Sequence, residues 1–192
     1  MKKLYGPALA LALVTAGVAS RAFARPAGPE DATAPSYDMK AQSLADLDDL
    51  HKKFVSLAQA VPADKYTWRP ADGARSIGEV FLHVAGTNYF YAPDLGTMPA
   101  PNFKADGYET STTDKAKIID QLNQSFDYTH AAIEKMSNAD FKKPLKKLGP
   151  DANFGDVVYI IVTHTHEHLG QSIAYARING IVPPWTAEQM KK

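Results

Sequence analysis

Cysteine is absent from the 192 residues, which removes disulfides, thiolate metal ligands and a cysteine nucleophile together. Net charge is absent too, because 21 Lys and Arg balance 21 Asp and Glu. Without a concentrated basic field for phosphate, nucleic acid is excluded as a dominant partner. After the first twenty residues no apolar run approaches the length of a membrane helix, about 20 residues. Alternating apolar and polar runs, the mark of half-buried strands, are missing as well. So are a glycine-rich phosphate loop, a Ser-His-Asp arrangement and an acidic pair suited to glycoside chemistry. What remains is an ordinary globular composition, 45% apolar and 22% charged, of a length suited to one domain.

The first residues carry their own pattern. Met1-Lys2-Lys3 is basic, Leu4 to Ser20 is free of charge, and Ala22-Phe23-Ala24 supplies small residues at a cleavage position. This order reads as a secretory signal peptide over residues 1–24, so a periplasmic or secreted protein is expected. An uncleaved anchor is disfavoured, since the apolar run is short and interrupted by Gly6, Pro7 and Gly17. Cleavage after Ala24 removes Lys2, Lys3 and Arg21, leaving 168 residues with 18 basic and 21 acidic side chains, a net charge of −3. No stable membrane span is expected in that product. Residues 25–36 are rich in Pro, Ala and Gly and read as a flexible leader.

Helical periodicity dominates from Tyr37 onward. Leu47, Leu50, Phe54, Leu57 and Val61 form one inward seam that stops before Pro62. The next loop carries Tyr66 and Trp68, an aromatic pair expected to pack over a core. Ser76-Ile77-Gly78-Glu79 is a capping box opening a second helix, continued by Val80, Val84 and Tyr91 as far as Pro93. Pro93 to Thr112 is long and irregular, as segments that border a site or close over one often are. A third helix is expected over roughly 113–136, with Ile118, Leu122, Phe126, Thr129, Ile133 and Met136 in one stripe. A fourth is expected over 155–178, stopped by Asn179-Gly180 and kept from restarting by Pro183-Pro184. The lysines at 142, 143, 146 and 147 read as a solvated connector. The fold class is all-α, a four-helix bundle over residues 37–185 followed by a tail over 186–192.

Three of the six histidines crowd into Thr163-His164-Thr165-His166-Glu167-His168. His164, His168, Gln171 and Tyr175 share a helix face with Val157, Ile161 and Ile178, so two imidazoles point into the bundle. Spacing of i and i+4 lets two rings share one ion. His166 lies about 200° around the helix from His164 and cannot join them. His83 sits near the inward face of the second helix and completes a set of three if the second and fourth helices are neighbours. From spacing alone the cluster is either a metal site or a group of hydrogen-bonded core histidines. His51 and His130 read as surface or rim residues.

Three segments resemble the DinB-like family, the damage-inducible-protein superfamily that includes bacillithiol and other thiol transferases. They are Tyr66-Thr67-Trp68-Arg69-Pro70 with Gly73-Ala74-Arg75-Ser76; Gly78-Glu79-Val80-Phe81-Leu82-His83-Val84-Ala85 with Asn88-Tyr89; and His164 to Gln171, running on through Tyr175-Ala176-Arg177 to Pro184. The resemblance implies a four-helix bundle holding a divalent metal, zinc or nickel, on His83, His164 and His168. It also implies chemistry in which the metal activates a low-molecular-weight thiol, and an ion on three neutral imidazoles with an open position could equally activate a water. Glu79, one turn before His83, and Gln171, three residues after His168, are candidates to orient a ligand, although the capping box already explains Glu79. The expected function is an exported metal-dependent hydrolase or thiol-type transferase acting on a small molecule. The alternative is a non-catalytic bundle that binds a metal or a small ligand. A homodimer is compatible with the sequence.

Overall fold

The computed structural model describes residues 37–191. The signal peptide expected over residues 1–24 and the leader over 25–36 lie outside them.

Helix α1 spans Met39–Ala60 and starts where the Asp38 side chain accepts the free amide of Ala41 at 2.9 Å. It ends at Val61, whose extended backbone is what the following proline requires. Its five seam residues are all buried. Helix α2 spans Ile77–Tyr91. The expected capping box is formed: the Glu79 amide donates to Ser76 Oγ at 3.2 Å and the Ser76 amide to Glu79 Oε2 at 2.6 Å. The two amides in between donate to the preceding loop, Ile77 to the Trp68 carbonyl at 3.0 Å and Gly78 to the Tyr66 carbonyl at 2.9 Å. Tyr66 is fully buried, and its hydroxyl donates to the Ala58 carbonyl of α1 at 2.8 Å. The loop thus ties the end of α1 to the start of α2. Gly78 permits this closeness, since a Cβ there would lie 3.1 Å from both the Tyr66 carbonyl and Ile118 Cδ1.

Helix α3 spans Lys115–Glu134 behind an Asp114 cap, and all six stripe residues predicted for it are buried. Helix α4 spans Phe154–Ile178, opened by a second capping box between Asn153 and Asp156. It stops at Asn179, and Gly180 follows with φ +74°. Both α1 and α2 pack along α3 and α4. The chain-consecutive helices α1 and α2 therefore occupy opposite corners, and α2 lies alongside α4. The core fills the centre with Phe54, Phe81, Phe126, Leu50, Leu122 and Ile161. Among the described residues there is no strand, only an isolated bridge between Pro144 and Asn153. No helix there is long and apolar enough to cross a membrane.

Two expectations need correction. Pro183-Pro184 does not prevent a restart: a short helix, α5, runs Pro184–Gln189 with Pro184 as its first residue. Proline suits that position, because its missing N–H would have had no helical partner there. Ile178 does not continue the inward face of α4 either; it is 66% exposed at the last turn, beyond the packed part of the helix. In the lysine-rich connector, Lys143 pairs with Asp140 at 2.5 Å and Lys147 with Asp94 at 2.9 Å, so these cations serve local acids.

Candidate metal centre

The packing of α2 beside α4 brings His83 to the His164–His168 pair. The three rings lie with centroids 4.4–4.9 Å apart. Each offers one ring nitrogen, and these nitrogens all lie within 4.8 Å of one another. His168 is buried and the other two are half-buried.

Each of two rings is fixed by a partner on its far side. His83 Nδ1 lies 2.6 Å from Glu109 Oε1, and His168 Nδ1 lies 2.7 Å from Gln171 Oε1. Both partners accept, so Nδ1 carries a proton in each ring and Nε2 is the nitrogen left to face a ligand. The Gln171 amide in turn donates to the Tyr175 hydroxyl at 2.9 Å, and Tyr175 is braced edge-on by Trp68 at 5.5 Å. Glu109 takes two hydrogen bonds from Arg75, Nε to Oε2 at 2.6 Å and Nη2 to Oε1 at 3.1 Å. Burial would raise the Glu109 carboxyl, but the bonds from Arg75 and His83 outweigh it and hold it below the usual carboxylate range. It therefore stays an anion facing His83.

Two of the imidazoles, His83 and His164, are biased towards the neutral form. Burial lowers His83 despite the opposing pull of Glu109. Burial, then the neighbouring His168 and His83, lower His164 to about 4. Neutral rings are what a metal ligand must be. The donor set also fits a cation on steric grounds. His83 Nε2 and His164 Nε2 face each other at 2.9 Å, and buried His164 Nδ1 has no hydrogen-bond partner. A proton placed on either nitrogen of His164 leaves an unsatisfied buried group or two opposed lone pairs. A cation held by these histidines would relieve the opposed lone pairs.

The other sequence candidates fall as follows. Gln171 touches His168 directly. Glu79 is engaged by the Ser76 amide and by Arg69 Nη2 at 2.9 Å, with no hydrogen bond to a histidine. His166 is exposed on the outer face. His51 stacks on Phe126 with ring centroids 4.8 Å apart and bonds Asn123 at 2.8 Å, while His130 faces Asp48 at 3.5 Å. The residue that sequence reasoning missed is Glu109. It lies in a 3-10 turn, Tyr108–Thr110, within the long α2–α3 connection. The length of that connection was the only signal, and it marks a segment rather than a residue.

A cavity of about 310 Å³ opens beside His83 and His164, bounded by α2, the α2–α3 connection and Ile160 of α4.

Comparison with known proteins agrees with this architecture. The family model described as the DinB superfamily matches residues 46–172. The crystal structure of a DinB-like protein from Bacillus cereus ATCC 10987 superposes with a TM-score of 0.65 at 14% identity, covering 75% of this chain and 95% of that one. No curated protein sequence matches. The family model spans most of the helical bundle, including all three clustered histidines: the chain belongs to the DinB superfamily.

Proposed function

We propose that this is an exported metal-dependent enzyme, a hydrolase or thiol-type transferase acting on a small molecule. Its centre is one divalent ion, zinc or nickel, held by His83, His164 and His168. The observation that carries this reading is the convergence of three imidazole nitrogens within 4.8 Å, two of them with the opposite ring nitrogen tied to an acceptor. Such an ion, when bound, supplies Lewis acidity that activates a water or a thiol at an open position.

The chain's own residues supply the rest. Glu109 orients His83 and raises its basicity as a ligand, and Arg75 keeps Glu109 ionised. Gln171 does the same for His168 without adding charge. Three histidines would contribute no anionic ligand, so an ion held there would present positive charge to the cavity, which favours an acidic or polarised group of the substrate. The adjacent cavity gives a small molecule access to His83 and His164.

Metal analysis of untagged protein tests the proposal. About one divalent ion per chain is expected after mild purification, and His164→Ala should abolish it while the helical circular dichroism persists. A wild-type protein that retains no stoichiometric divalent ion, and takes up none on addition, overturns the reading.

A further inference from the structure

The cavity beside the histidines is small and largely aromatic. Its volume of about 310 Å³ is at the low end for small-molecule sites, roughly 300–1,000 Å³. Phe90 and Tyr91 from α2, Phe103 and Tyr108 from the α2–α3 connection, and Ile160 from α4 make its walls. His83 and His164 lie at one end. No Lys or Arg side chain lines it among the described residues, and its one charged wall residue, Glu109, is already engaged by Arg75 and His83.

We infer that this cavity takes a compact ligand with an uncharged arene or branched aliphatic body and a single metal-binding head. The proposal rests on the metal reading for the head and on the walls for the body. A multiply charged or sugar-like thiol is a poor match, because beyond the one group at the ion its carboxylates or hydroxyls would meet aromatic faces and the Glu109 anion, with no Lys or Arg among the wall residues to offset their lost hydration. The walls are prebuilt. Tyr108 is held edge-on by Phe103 at 5.1 Å and by Tyr89 at 6.1 Å. Gly86 lets that ring approach α2, since a Cβ there would lie 3.1 Å from Tyr108 Cδ1. Preorganised rings offer apolar surface at little ordering cost, which favours a flat, rigid guest.

The test uses the full chain loaded with zinc and two probes with the same head, benzohydroxamate and acetohydroxamate. Zinc titration comes first and judges the metal reading alone. On the zinc protein, benzohydroxamate should bind at least about tenfold more tightly than acetohydroxamate, as burial of a ring's apolar surface requires. Phe90→Ala, at a half-exposed position, and Phe103→Ala should each reduce that preference markedly while leaving zinc affinity unchanged. Equal affinities for the two probes, or a preference that survives both substitutions, overturn the inference and leave the metal centre standing. If zinc fails to bind, the metal reading falls and the body of the inference is judged on metal-free protein with p-cresol. Saturation transfer from the protein to the cresol ring, weakened by Phe103→Ala, then supports it, and no transfer overturns it.

Discussion

Replacing Glu109 by glutamine isolates what the long α2–α3 connection does for the histidines. The side chain keeps its size but loses its charge and one acceptor. In the native protein Oε1 receives His83 Nδ1–H at 2.6 Å and Oε2 receives Arg75 Nε–H at 2.6 Å. The amide can serve only one of the two, since its NH₂ would oppose the other donor. Either His83 loses the partner that fixes its tautomer, or Arg75 is left facing an N–H. Loss of such an orienting carboxylate weakens metal affinity about 10–100-fold, about 1.4–2.7 kcal/mol. The cost to the metal-free fold is smaller, about 1 kcal/mol or less, because the Arg75–Glu109 pair is partly open to water. The two effects separate in a melting experiment. With zinc at 1,000 times the wild-type dissociation constant the ion adds about 4.1 kcal/mol of stability. A variant weakened about 30-fold gains about 2 kcal/mol under the same conditions. For a domain of this size the missing half amounts to about 4–8 °C in the zinc-induced rise of Tm. A chelator-competition titration gives the affinity directly. Zinc affinity within about twofold of wild type would refute the claim that Glu109 orients His83 as a ligand.

Acid should act on the same centre with a definite sign. His164 and His83 have folded values below the ordinary histidine value, so the unfolded chain binds their protons more readily. The metal-free protein should therefore lose stability as pH falls through about 6.5 towards 5, by about 1 kcal/mol at pH 5 after discounting for the water that still reaches His164. Urea midpoints at pH 7 and pH 5 measure this, and His164→Gln should flatten the difference; equal slopes for variant and wild type would contradict it. Gly78→Ala should cost about 1–2 kcal/mol, because the close contacts to Ile118 and to the Tyr66 carbonyl exceed the helical preference gained. A thermal melt decides the sign, and an unchanged Tm would show that the loop yields freely. Phe126→Ala should cost about 3–5 kcal/mol by denaturant titration, since the ring is fully buried against Phe54 and beneath His51. A loss under about 1 kcal/mol would mean that the core collapses into the space.

Periodicity carried most of the fold. The seam from Leu47 to Val61 and the stripe from Ile118 to Met136 are buried because a helix face repeats with a fixed spacing that packing must satisfy. The Ser76–Glu79 box was readable because both partners lie within one turn. The same locality made Gln171 visible, three residues from His168 on one helix. Glu109 was not, since it reaches His83 from another element, 26 residues away, through a turn with no repeating pattern. Glu79 shows the converse: its helix position suggested the histidines, but Ser76 and Arg69 take both carboxylate oxygens. Pro184 shows that a proline pair read as a stop can equally be a start, because the first turn of a helix needs no N–H from it.

The segment between α2 and α3 joins two tasks. Phe103 and Tyr108 face the cavity, and the next residue, Glu109, holds His83. Because Tyr108 and Glu109 are neighbours in one turn, a backbone displacement that widens the cavity at Tyr108 pulls on the bond at Glu109. A guest that pushes the aromatic wall outward would therefore loosen an ion held there, and by thermodynamic reciprocity that ion would resist the guest by the same factor. A guest that leaves the wall in place escapes this opposition, so occupancy of the histidines becomes a filter on the shape of what enters beside them.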